Sequence, residues 1–166
     1  MKTLATILLL LVVASSVNAN EPDQIRTHFV RATQDLEARS DLVADLRAES
    51  DLDEAFSTAY LGAALTLLAE CGMVPWTKYN RFTSGTQLLE QSILQSPDVA
   101  EFKYLRFIIQ LNAPLFLGYD ANLKNDYLAV KEAISETTEP ALWMLHFQAF
   151  EGQNELLIRK RISATQ

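Results

Sequence analysis

The chain has 166 residues, with 21 acidic against 14 basic side chains and a formal net charge of −7. That balance argues against a nucleic-acid partner, because phosphate binding needs a basic face, and against anionic membrane surfaces. Most simply, it keeps the protein soluble. A single cysteine, Cys71, cannot form an internal disulfide.

The first residues read as a leader. Lys2 precedes an apolar run from Leu4 to Val13, broken only by Thr6, and Ser15 to Ala19 form a small, polar exit. Val17-Asn18-Ala19 fits signal-peptidase cleavage before Asn20. The apolar run is about half of the roughly twenty residues that a bilayer crossing needs. Residues 1–19 are therefore expected to be a signal peptide that exports the protein to the periplasm or the extracellular space. Residues 20–166 are expected to form a single helical domain with its core at about 50–151.

Gly and Pro number five each, and no apolar/polar alternation is long enough for a sheet. An all-α fold of about six or seven helices is expected. The first helix is placed from Pro22 to Arg39, with Ile25, Phe29, Ala32 and Leu36 on one stripe, and a short helical piece follows Ser40, from Asp41 to Ala48. Ser50 is read as the cap of the next helix, with Asp53 three residues on. That helix, "DEAFSTAYLGAALTLLAEC", is expected to run to Gly72 and to hold Cys71 as a buried, inert thiol. A long helix from about Pro75 to Gln95 should be ended by Pro97, and "VAEFKYLRFIIQL" forms the next.

"QLNAPLFLGYD" combines turn residues with apolar ones. Leu115, Phe116, Leu117 and Tyr119 are expected to fold back as a plug over the end of the core. Asp120 or Asn122 should cap a helix reaching Glu136, with Leu123, Tyr127, Val130 and Ile134 on one stripe. Beyond "TTEP", an apolar helix from Trp143 to Phe150 is expected to be separated by Gly152 from a basic helical tail.

Two segments fit halves of a tetratricopeptide unit. Leu61, Gly62 and Leu65 match its first helix, and Gly85, Leu89, Ser92 and Pro97 match its second. The separation of the two glycines exceeds the repeat's by about three helical turns, inserted around "MVPWTKYNRFT", which preserves phase if a helix is lengthened. Antiparallel hairpins in a tetratricopeptide-like right-handed stack are the expectation, with an irregular helical bundle as the alternative. "VPWTKYNRFTSGTQLLEQSI" and "AEFKYLRFIIQLNAPLFLGYDANLKND" also resemble a family of small exported, tetratricopeptide-like proteins found mainly in Bacteroidota. The likeness covers about residues 55–135; it implies fold and compartment and carries no activity across.

Catalytic patterns are missing from the sequence. His28 and His146 are far apart, with no Cys or carboxylate at metal-ligand spacing, and no Gly-rich loop suits a phosphate. His146 reads as a core or boundary residue. "DANLKND" fails the calcium-loop pattern at Lys124, Asn125 and Lys131. No cofactor and no metal are expected, and no catalytic residue is assigned.

The candidate binding residues are Trp76, Tyr79, Arg81, Lys103, Arg106, Gln110, Asn112 and Tyr119. Lys103, Arg106 and Gln110 make one polar stripe on an apolar helix. Arg106 either pairs with an acidic residue on a neighbouring helix or meets a ligand carboxylate in a groove. Trp76, Tyr79 and Arg81 either pack the lengthened helix or anchor a partner. The leading expectation is an exported interaction or scaffold module that binds a protein or peptide without catalysis. The alternative is a small-molecule binding protein or hydrolase with a pocket near Arg106 and the 110–120 loop.

Overall fold

A computed structural model describes residues 21–48, 52–71 and 73–164. Seven α-helices and no strand occur among them: α1 (Glu21–Gln34), α2 (Leu36–Ala48), α3 (Glu54–Ala69), α4 (Pro75–Gln95), α5 (Ala100–Asn112), α6 (Leu123–Glu136) and α7 (Leu142–Ala164). The expected leader and the Ser50 cap lie outside the described residues. Asp53 is the N-cap of α3, accepting from the Phe56 amide at 2.9 Å.

Four boundaries differ from expectation. The first helix does not run to Arg39; it stops at Gln34, and Asp35 accepts from the Glu37 amide at 2.9 Å to start α2. Ser40 lies inside α2, its hydroxyl donating to the Glu37 carbonyl. At the far end of α3, the last helical residue is Ala69, so Cys71 falls in the following turn and is exposed rather than buried. Nor does Gly152 divide the last helix. α7 continues through it and kinks at Asn154, where the side-chain amide donates to the Phe150 carbonyl at 2.9 Å. Asn122 occupies the N-cap position of α6 without a side-chain cap bond.

Neighbouring helices pair. His28 meets Asp45, and Arg39 meets the Ala32 carbonyl, so α1 and α2 run antiparallel. In the second pair, Gly62 lies against Leu89 and Gly85 against Thr66, and Arg81 donates to the Leu68 carbonyl; α3 and α4 are antiparallel too. The glycines explain how closely these helices approach. A Cβ on Gly62 would sit 2.7 Å from the Gly85 carbonyl oxygen, and one on Gly85 would sit 2.5 Å from that of Gly62. α5 packs on α6 and α3, and α7 closes against α5, α1 and α6.

One core joins these elements, reaching beyond 50–151 to Ile25, Phe29 and Leu42 at one end and Ile158 at the other. Phe107, Tyr127 and Phe147 form its aromatic centre with ring centroids 5.6 to 6.1 Å apart. Such pairs add about 0.5–1.5 kcal/mol each beyond area burial. A buried carboxylate also ties three helices together. Glu101 of α5 accepts two bonds from Arg26 of α1, at 2.7 and 2.8 Å, and one from the Tyr60 hydroxyl of α3 at 2.7 Å. Burial, with Glu101 adjacent, pushes the Tyr60 hydroxyl well above its ordinary value, so it stays a donor.

Candidate functional site

The polar stripe on α5 is largely buried. Lys103 is half-buried, while Arg106 and Gln110 are buried. Arg106 forks onto Asp126 of α6, Nε to Oδ2 at 2.7 Å and Nη2 to Oδ1 at 2.8 Å, and its Nη1 donates to Glu90 Oε2 of α4 at 2.6 Å. The Tyr119 hydroxyl donates to the other Glu90 oxygen at 2.6 Å. The four side chains thus link three helices and the 113–122 loop. Asp126 and Glu90 hold Arg106 protonated, although burial works against the charge. Burial raises the Asp126 carboxyl above its ordinary range, and the Arg106 bonds only partly offset that. Each Arg106 nitrogen already donates to one of these two carboxylates, so its charge is paired within the fold.

The 110–120 loop is only half a plug. Tyr119 packs edge-on against Phe82 with centroids 5.7 Å apart, and Leu117 is half-buried. Leu115 and Phe116 are instead 66 % and 86 % exposed. Pro114 leads into a 3-10 turn, Leu115–Leu117, which Gly118 ends at φ 62°, the left-handed region where a side chain would be strained. This short turn aims its first two apolar side chains outward, while Tyr119 fastens the chain behind it.

An open groove of about 710 Å³ lies beside this turn. Its apolar lining comes from Ala69 of α3, Phe82 of α4, Ile108 and Ile109 of α5, Leu117, and Phe150 of α7. Pro75 and Tyr79 at the start of α4, and Pro114 and Phe116 at the 3-10 turn, also line it. Next to Pro75, Met73, Val74 and Trp76 are exposed, Met73 almost completely, and Trp76 stacks on Tyr79 at 6.1 Å. Isolated exposed apolar residues are ordinary on a protein surface, whereas a cluster beside a concavity makes that concavity the candidate site.

Helix ends surround the groove, and arginines satisfy their carbonyls. Arg39 is buried and lines the groove. It donates from Nε to the Ala32 carbonyl at 2.9 Å, and from Nη1 to the Leu67 carbonyl at 3.1 Å and to Glu70 at 2.7 Å. Arg161 of α7 donates to the Gln110 and Ala113 carbonyls, at 2.7 and 3.3 Å, closing the end of α5.

Of the eight candidate residues, Tyr79 and Asn112 line the groove, and Trp76 is at its edge through Tyr79. Arg81 is half-buried against the α3 end. Arg106 and Tyr119 belong to the buried network, and Lys103 and Gln110 do not line the groove. Arg39, Lys78 and Phe116 were missed as site residues; the proximity of Phe116 to turn-forming Pro114 and Gly118 was the signal available for it. No three His, Cys, Asp or Glu side chains among the described residues are placed to hold a metal ion. No described helix is long and apolar enough to cross a membrane. No family model, curated protein or solved structure matches the chain.

Proposed function

We propose that this protein is an exported, all-helical interaction module that holds an apolar segment of a partner protein in the groove, without catalysis. The observation that carries the reading is that exposed Tyr79 and Phe116 both line a largely apolar concavity, with exposed Trp76 stacked on Tyr79. An open trough of this kind suits a chain segment that enters from the side. Aromatic side chains at its edges provide large contact area at low entropic cost. The leader-like residues 1–19 are the basis for placing the partner outside the cytoplasm. The close Gly62–Gly85 approach supports, within the same proposal, a tetratricopeptide-like kinship for the α3–α4 hairpin.

A small-molecule or hydrolase site at Arg106 is the weaker reading, because Asp126 and Glu90 take up its guanidinium. Selection of phage-displayed peptides on the mature protein tests the proposal. Apolar sequences should be enriched on the wild type and lost on Phe116→Ser. Absence of apolar enrichment, or enrichment that survives the substitution unchanged, would overturn it.

A further inference from the structure

Only three charged side chains among the described residues line the groove: Arg39, Lys78 and Glu70. Two are cationic, in a chain whose net charge is −7. Their positions are unequal. Lys78 is exposed on the first turn of α4 and forms no ion pair among the described residues. Arg39 is 6 % exposed and held in place through Nε and Nη1, while its Nη2 has no hydrogen-bond partner among the described residues.

A fixed guanidinium with an unused edge suits a carboxylate, because the donor is already oriented and loses little freedom on binding. Glu70 does not remove that capacity. Its side chain is 58 % exposed and meets Arg39 through Nη1. The negative ends of α1, α3 and α5 would by themselves favour a cation. Arg39 and Arg161 already occupy carbonyls at those three ends.

Resting on the interaction-module reading above, we infer that the groove selects an apolar segment carrying an acidic side chain. Its carboxylate sits between Lys78 and the free edge of Arg39, and its apolar side chains lie toward Ile109, Phe82 and Phe116. The net negative charge elsewhere on the protein is screened over about 8 Å at physiological salt, so the preference is set by the groove's own charges, Arg39 and Lys78 against Glu70, which leave an excess of positive charge.

Two acetylated, amidated peptides test this, each of alternating Leu and Ser around a Phe, one with a single central Glu and the other with Gln. Trp76 emission reports binding, since Trp143 is buried and contributes a steady background. The Glu peptide should bind about tenfold more tightly than its twin, in line with a charge-assisted hydrogen bond. Lys78→Gln should shrink that advantage several-fold while leaving the helical circular dichroism unchanged. Equal affinities for the twins would overturn the acidic preference and leave the groove reading standing. An undiminished Glu advantage in Lys78→Gln would overturn the role given to Lys78. Failure of both peptides to bind would overturn the inference together with the reading beneath it.

Discussion

Arg106 and Asp126 meet in a two-bond fork, with both contacts under 3 Å and the Asp126 side chain only 2 % exposed. Removing the arginine alone strands a carboxylate in the interior. Breaking one half of such a pair costs about 3–5 kcal/mol. Arg106→Ala is therefore expected to lower stability by that order in urea denaturation, with a matching fall in Tm. Arg106→Met combined with Asp126→Leu should recover much of the loss, because neither charge then remains buried. An Arg106→Ala protein of wild-type stability would return this residue to the list of ligand contacts.

Gly62 and Gly85 set the spacing of α3 and α4 through backbone contact rather than flexibility. An added methyl at Gly62 would meet both the Gly85 carbonyl oxygen and the Leu89 nitrogen at 2.7 Å, and neither can rotate aside. Overpacking of this kind costs about 1–3 kcal/mol, and more where backbone must shift. Gly62→Ala and Gly85→Ala should each destabilise by about 3 kcal/mol. Gly152→Ala is the control, since nothing lies within 4 Å of its added Cβ. It should be neutral or slightly stabilising through helix propensity. Near-native melting of Gly62→Ala would contradict this packing.

The start of α4 at Pro75 and its end before Pro97 were legible because proline acts locally, favouring a first helical turn and blocking continuation. The glycine pair was legible as well, since small residues at matched positions have few uses other than close packing. The break at Asp35 was harder. Asp35 and Ser40 are both capable caps, and what separates them is tertiary: Arg39 has to reach the Ala32 and Leu67 carbonyls from within α2. Composition misled at Phe116, where apolar character suggested burial while the turn geometry faces it outward. Cys71 was misplaced by two residues of helix end, enough to move it from core to surface.

Because Phe116 is 86 % exposed, its loss removes little packing. Phe116→Ser should change stability by no more than about 0.5 kcal/mol, as for other surface substitutions. The same change should weaken capture of apolar peptides clearly, since it removes one wall of the groove. Thermal denaturation and a peptide titration on the same preparation separate the two effects. A loss of several kcal/mol would show that the side chain packs inward in solution.

His146 on α7 gives the fold a pH dependence of predictable sign. Its partial burial disfavours the charged ring, Arg26 adds repulsion, and Asp23 opposes them weakly, so its pKa lies below the ordinary value near 6.5. Between that ordinary value and the depressed folded one, the unfolded chain binds more protons than the folded protein. The stability contributed by neutral His146 is complete above about pH 6.5 and is lost as the pH falls through the folded value. His146→Gln should thus lose less stability than the wild type between about pH 7.5 and pH 5. Urea denaturation at both pH values measures the difference, and an NMR titration locates the ring. A His146 that titrates above 6.5 in the folded protein would reverse the predicted sign.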